Sequence, residues 1–313
     1  MIGAGFASTA LALSRTGGAR AQGKPLDKMK IFIGTTPQFS NVVIALEKGF
    51  FAKEGLQAEI TNFASGATAV DAFRAGRGDV VVAGDLPSLR LWQQGGIGLC
   101  PQANYGELSI IVSGKGINAP ADLRGKKVGV LLGSTSEYFI KLYLASGNVD
   151  YKDIDAINLR PAEMVTGLVR GDIDAFTIWQ PFGWKALEAD KDAKILTTAN
   201  SYFHEWEICS TNVQYAKDHA AELVAFLKGL DAAGKWIPSN VDEASQIAAK
   251  SLRMDDVDLA KRMIEKIDWN ISYTKKFRSD MDRLGQFVNL KIDWKTMFDP
   301  RYLAKLGPSY VEA

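Results

Sequence analysis

Ala69-Val70-Asp71-Ala72-Phe73-Arg74-Ala75-Gly76-Arg77-Gly78-Asp79-Val80-Val81-Val82-Ala83-Gly84-Asp85-Leu86-Pro87 runs from a helix-like apolar pattern, through Arg-Gly-Asp, into a strand-like run ending at a proline. The same order recurs in Met164-Val165-Thr166-Gly167-Leu168-Val169-Arg170-Gly171-Asp172-Ile173-Asp174-Ala175-Phe176-Thr177-Ile178-Trp179-Gln180-Pro181, with the tripeptides 93 positions apart (77 to 170). A second correspondence has nearly the same offset: Lys30-Ile31-Phe32-Ile33-Gly34-Thr35-Thr36 resembles Lys127-Val128-Gly129-Val130-Leu131-Leu132-Gly133-Ser134-Thr135, 97 positions on (30 to 127). Each is a buried-strand pattern that passes through glycine into hydroxyl residues and then a helical period, the pattern of a βα unit. The repeat predicts two βαβαβ lobes. A helix-to-strand turn accounts for each Arg-Gly-Asp locally, and a cell-adhesion role is the weaker reading.

Composition allows this plan. The 313 residues are 47% apolar, enough to bury a core in about two lobes. With 37 basic and 36 acidic residues the net charge is +1, so the chain lacks the basic footprint of a nucleic-acid binder. No internal run approaches the roughly 18 apolar residues that span a bilayer. Ile2 to Leu13 is small and apolar and precedes Ala19-Arg20-Ala21, which reads as a secretory signal over residues 1–22 lacking its basic start. Cys100 and Cys209 are too few for a disulfide framework and read as free thiols, with pairing left open.

Along the chain, strands are expected at Ile31–Gly34, Leu56–Phe63, Val80–Ala83, Ile97–Ala103, Leu108–Val112 and Trp206–Ser210. A helix is expected from Asn41 to Phe51 with Ser40 as N-cap. The turn-rich stretch from Pro120 to Lys127 restarts the pattern. From Val213 onward the periodicity is helical: Ala220–Trp236, Val241–Ser251, Val257–Ile267 and Lys275–Leu290. An early lobe, a middle lobe and a late helical segment imply that the chain crosses out and back, with lobe one at 27–113 and 207–313 and lobe two at 114–206. Mostly parallel sheets bind ligands outside the carboxyl ends of their strands; two such ends facing each other make a cleft that closes on a small molecule.

The candidate site residues follow from that geometry. Ser134, Thr135 and Ser136 sit where a strand meets a helix N-terminus, a place for an anion or simply for a cap. By the repeat, Thr36, Gln38 and Phe39 occupy the equivalent corner of lobe one. Asp85 and Trp179 end the repeated strands: Asp85 binds an amine or caps the next helix, and Trp179 stacks on a ligand or fills the core. Glu205 and Glu207 share one face of an extended segment and would hold a ligand ammonium or remain exposed charge. There is no nucleophile motif or Walker loop, and His204 and His219 have no Cys-x-x-Cys to complete a zinc site. No catalytic residue, cofactor or metal is expected.

Leu159 to Phe182, LRPAEMVTGLVRGDIDAFTIWQPF, with the Gly133-to-Ser136 corner and the Gly34-to-Phe51 unit, resembles the periplasmic solute-binding proteins of ABC importers for sulfonates, taurine, nitrate and bicarbonate. The likeness spans essentially the whole mature chain. It implies a type II periplasmic binding fold: two doubly wound α/β lobes, two hinge-crossing strands, a ligand cleft between the lobes and a helical C-terminal segment. The implied partners are a small anionic or zwitterionic solute, with taurine or an alkanesulfonate as first guess, and a permease with its ATPase at the inner membrane. A periplasmic monomer is expected. In taurine binders the hydroxyl corner holds the sulfonate, which falls on Ser134, Thr135 and Ser136, and an acid on the returning strand takes the amine, which falls on Glu207. The tryptophan before a proline matches Trp179. The chain departs from that pattern at Thr35-Thr36-Pro37-Gln38 and at Asp85-Leu86-Pro87-Ser88, and Asp85 disfavours a neighbouring anion. The alternative is an enzyme on this scaffold, such as a thiamine-pyrimidine synthase, which would need His204 or Cys209 in the cleft.

Overall fold

The computed structural model describes residues 28–114 and 116–312, so the signal expected over 1–22 lies outside the described residues. Ten strands follow in chain order: β1 (Lys28–Gly34), β2 (Gln57–Phe63), β3 (Val80–Gly84), β4 (Gly96–Tyr105), β5 (Ser109–Ser113), β6 (Lys127–Val130), β7 (Asp155–Asn158), β8 (Ala175–Trp179), β9 (Lys194–Thr198) and β10 (Glu205–Asn212). They form two five-stranded sheets, β2-β1-β3-β10-β4 and β7-β6-β8-β5-β9. The orders coincide when β1, β2, β3, β4 and β10 are matched with β6, β7, β8, β9 and β5.

In each sheet one strand runs against the others. β1 pairs in parallel with β2 and β3, while β10 is antiparallel to β3 and β4. β6 pairs in parallel with β7 and β8, while β5 is antiparallel to β8 and β9. The reversed strand is the one that has just crossed from the other lobe, β5 after β4 and β10 after β9. These pairings move the expected boundaries. β5, assigned to lobe one by a division at 113/114, belongs to the second sheet; Glu205 and Trp206, assigned to lobe two by a division at 206/207, belong to the first. The crossing at Gly106–Leu108 is short and lies between two wholly buried strands, marked in the sequence only by Gly106 and the exposed Glu107.

Twelve α-helices cover the sheets: α1 (Ser40–Glu47), α2 (Phe50–Lys53), α3 (Gly66–Arg74), α4 (Asp85–Gln93), α5 (Thr135–Ser146), α6 (Pro161–Arg170), α7 (Phe182–Ala189), α8 (Val213–Asp218), α9 (Ala220–Trp236), α10 (Val241–Ser251), α11 (Val257–Ile264) and α12 (Lys275–Phe287). Central strands carry continuous apolar runs because both faces are covered: β3 and β8 are buried at every position, whereas edge strand β2 is mostly exposed. The late helices complete lobe one. Phe51 stacks on Phe226 with centroids 5.6 Å apart, and Gly229 permits this approach, since a Cβ there would lie 2.3 Å from the Phe51 ring. Ser40 is not the N-cap of α1. It is the first helical residue, and its hydroxyl donates to the Pro37 carbonyl at 2.6 Å within a short 3-10 turn, Pro37–Phe39.

Each Arg-Gly-Asp lies where a helix hands over to a strand, but the copies are not superposable. The Asp79 N–H donates to the Lys30 carbonyl at 2.9 Å and the Asp79 carboxylate accepts the Lys30 N–H at 2.7 Å. In the second lobe the same reciprocal latch is made by Asp174 with Lys127, at 2.8 and 2.9 Å. Asp174, not Asp172, is therefore the counterpart of Asp79, and the second turn is two residues longer.

Candidate functional site

The chain turns from β1 into the turn before α1, from β2 into α3, from β3 into α4 and from β6 into α5, so four helical N-termini gather at the carboxyl ends of the strands. Between them, where the lobes meet, lies a narrow cleft. Thr36, Gln38, Phe39 and Glu207 line it from lobe one, and Ser134, Thr135 and Trp179 from lobe two. Seven of the nine residues expected from sequence thus border one cavity. Asp85 and Ser136 stand directly behind the wall. Asp85 accepts from the Thr135 hydroxyl across the cleft at 2.6 Å, and the Ser136 hydroxyl is 2.7 Å from that of Ser134.

The hydroxyl corner is engaged with the protein itself. Ser134 Oγ donates to the Leu131 carbonyl at 2.7 Å, and no side chain caps the first turn of α5. That turn keeps the positive end of its helix open toward the cleft. Asp85 is the first residue of α4 rather than its N-cap, which is Gly84; its carboxylate accepts the Leu86 N–H at 2.7 Å and the Thr135 hydroxyl at 2.6 Å.

Three carboxyls crowd the floor. Asp85, Glu205 and Glu207 are 3–4% exposed. β10 presents both glutamates to the same side, as alternation requires. The Tyr105 hydroxyl donates to Glu207 Oε1 at 2.8 Å, and the Ser109 hydroxyl donates to Glu205 Oε2. Glu207 Oε2 is buried without a partner, as are Trp179 Nε1 and Gln38 Oε1. Among the described residues no Lys, Arg or His pairs with any of the three acids. Burial comes first in raising each of them, to about 8, and the neighbouring carboxylate charge adds to it: Glu205 acting on Asp85, Glu207 on Glu205 and Asp85 on Glu207. Burial, then the charges of Glu205 and Glu207, also lifts the Tyr105 phenol well above its ordinary value. The cluster titrates as a unit.

Several wall residues carry no mark in the sequence reading. Ser65, Gly66 and Ala67 open α3, where the Ser65 hydroxyl accepts the Thr68 N–H at 3.2 Å and the Thr68 hydroxyl accepts the Ser65 N–H at 3.1 Å. The capping-box spacing was the available signal. Glu205, which strand alternation already placed on the face of Glu207, lines the cleft as well. At Gly84 a Cβ would lie 2.9 Å from Thr135 Oγ1 and 3.4 Å from Glu205 Oε1, so closure of the lobes needs a glycine there. Outside the cavity, the Arg262 guanidinium of α11 lies 4.1 Å over the Trp184 ring of α7, a contact between the lobes.

Neither residue that a catalytic reading would use lines the cavity. His204 is half-buried at the crossing, 3.4 Å from Asn104 Oδ1, and burial pulls its pKa below the usual histidine value. Cys209 is fully buried on β10, directly opposite Cys100 in the ladder; both thiols are free, and burial, then the Cys100 thiol, pushes Cys209 far up. No group of His, Cys, Asp and Glu suited to a metal ion occurs among the described residues, and no helix of theirs is long and apolar enough to cross a membrane.

Comparison with known proteins agrees with this architecture. The aliphatic sulfonates-binding protein described as putative in Bacillus subtilis (strain 168) is 27% identical over 94% of this chain and 92% of its own length. The taurine-binding periplasmic protein of Escherichia coli (strain K12) is 28% identical over 66% of this chain and 68% of its own. Among solved structures, the alkanesulfonate-binding protein of Xanthomonas axonopodis pv. citri bound to MOPS superposes with a TM-score of 0.73 at 16% identity, covering 85% of this chain and 94% of that one. The chain has the periplasmic binding protein fold, and its relatives are named as binding proteins. The NMT1-like family model matches residues 22–253, and the chain belongs to the NMT1-like family.

Proposed function

We propose that this protein is the solute-binding component of an ABC importer and that it captures a small zwitterionic solute through its protonated amine. Closure of the lobes holds the solute, and a membrane permease driven by its ATPase receives it. A periplasmic location and a monomeric working form belong to this reading. The observation that carries it is the group of three buried carboxyls, Asp85, Glu205 and Glu207, with no cationic side chain paired to any of them. Buried carboxylates without a counter-charge are costly, and an ammonium between them supplies the missing partner, with Glu207 Oε2 free to accept from it. The uncapped N-terminus of α5 leaves a favourable place for an anionic group. Taurine carries both an amine and a sulfonate, which suits the names of the relatives. The positions of His204 and Cys209 outside the cavity favour a binding role over an enzyme on the same scaffold.

The test is calorimetric titration with a panel of aminoalkanesulfonates, amino acids, simple amines and amine-free sulfonates. Amine-bearing members should bind, and Glu207→Gln should weaken them about tenfold to a hundredfold, the range for losing one charged hydrogen bond. Amine-free sulfonates that bind as well as the amines, with no loss in Glu207→Gln, would overturn the assignment.

A further inference from the structure

A second groove adjoins the cleft and shares Ala67 and Pro87 with it. Its walls come from α3 and α4 of lobe one and from the Leu132-Gly133 turn of lobe two, so it exists as a groove only while the lobes are together. Its charged residues are Asp71, Arg74 and Arg90. Neither arginine makes an ion pair or a side-chain hydrogen bond to another described residue. The Arg90 guanidinium lies over the Gly133 turn, where an added Cβ would come 2.8 Å from Nη1. Gly133 holds φ +80° and its N–H donates to Glu137 Oε2 at 2.7 Å, so the turn under the guanidinium is fixed. Burial works to raise the Glu137 carboxyl, but the Lys141 ammonium, the Gly133 N–H and the Arg90 charge hold it low. Glu137 is paired with Lys141 at 2.7 Å, so Arg90 acts on it through charge alone and its guanidinium N–H groups bond no carboxylate among the described residues.

We infer that Arg74 and Arg90 form a second ligand subsite, which receives the anionic end of an extended zwitterion whose amine lies on the carboxylate cluster. This rests on the amine reading of the cleft. The chemistry is that of an oxyanion: a sulfonate, phosphonate or carboxylate offers the coplanar acceptors that a guanidinium fork bonds in pairs. The cleft is acidic, and the groove beside it, which shares Ala67 and Pro87 with it, carries two arginines against one aspartate. A ligand with both charges satisfies both, and its anion ties α4 to the turn of the other lobe, so that occupancy of the groove favours the closed form.

The experiment compares ω-aminoalkanesulfonates of increasing chain length with the matching alkylamines, titrated against the full chain and against Arg74→Gln/Arg90→Gln. In the wild type the sulfonate end should add about ten- to a hundredfold affinity over the alkylamine once the chain reaches the groove. The double variant should erase that advantage and leave alkylamine affinity within about twofold. An advantage that is absent in the wild type, or equal in the variant, overturns the subsite. If the alkylamines fail to bind, the amine reading is what fails. Sulfate titrated alone, followed by the Arg Nε–Hε resonances, then decides the groove: saturable shifts at Arg74 and Arg90 support it, and their absence refutes it.

Discussion

Replacing Glu207 by glutamine should stabilise the ligand-free protein. Three carboxyls share a floor from which water is excluded, and each is raised to about 8. A raised carboxyl holds its proton in the folded chain over a range where the unfolded chain has lost it. Its contribution is fully present below the unfolded value, 4.5 for glutamate, and is lost as pH climbs through about 8. At about 1.4 kcal/mol per pH unit, ionisation of the unfolded glutamate between pH 4.5 and 7.5 corresponds to at most about 4 kcal/mol. Two effects reduce that figure. The repulsions are shared among the three acids, so removing one partner relieves part of each neighbour's burden. Parting of the lobes also rehydrates the carboxyls and limits the cost to that of opening. The expected gain for Glu207→Gln is therefore about 1–3 kcal/mol at pH 7.5 and close to none at pH 5. Urea unfolding of wild type and variant between pH 5 and 8.5 measures it. A wild-type stability that is flat or rises across that range, or a variant less stable than wild type at pH 7.5, would refute the reasoning.

For an amine-bearing ligand the same carboxyls give affinity that increases as pH rises toward about 8, because the cation displaces protons the cluster would otherwise keep; titration at pH 6, 7 and 8 with buffers of different ionisation enthalpy reads both trend and protons released. Gly84→Ala puts a methyl 2.9 Å from Thr135 Oγ1, so the lobes should stand further apart, with a larger radius of gyration in solution scattering and ligand affinity at least about tenfold lower; an unchanged radius in saturating ligand would count against it. Arg262→Ala removes a guanidinium 4.1 Å over Trp184 and should weaken ligand binding about two- to thirtyfold through loss of closure, with Arg262→Lys intermediate. Asp79→Asn and Asp174→Asn each lose a charge-assisted bond to the N–H of a lysine in an inner strand, Lys30 of β1 and Lys127 of β6, and should each cost about 1–2 kcal/mol in urea unfolding, the two losses adding because they lie in different sheets.

Much of this was legible because the chain repeats a βα grammar. The apolar runs of β3 and β8, and the period of α9 and α10, are strong local patterns and fall where sequence places them. What escaped was set by pairing between distant segments. Gly106 and Glu107 mark a bend before Ser109, but a bend alone does not say that the strand after it joins the other sheet, since β4 and β5 are alike in burial. The register of the Arg-Gly-Asp repeat is off by two because the hydrogen bond that matters is made by whichever aspartate immediately precedes the strand, Asp79 or Asp174. At the site, strand alternation puts Glu205 and Glu207 on one face, but only tertiary structure brings Asp85 up to them and withholds a basic partner. That difference turns three separate acids into one buried cluster without a counter-charge. The Arg74–Arg90 groove is likewise invisible locally, as the arginines are 16 positions apart (74 to 90) on two helices and their floor comes from residue 133.

The interruption of one sheet by the other also sets an order on biosynthesis. All five strands of β7-β6-β8-β5-β9 lie in one uninterrupted stretch, residues 109–198, and can assemble as soon as that stretch has emerged. The first sheet cannot. Within the sheet β4 pairs only with β10, so β1, β2 and β3 can pair early while β4 waits until about residue 212 is made. The second sheet therefore has all of its strands in hand while the first still lacks the strand that joins β3 to β4. The two lobes of the cleft are born in reverse of their order in the gene, and the last strand to arrive in the first sheet is the one that carries Glu205 and Glu207.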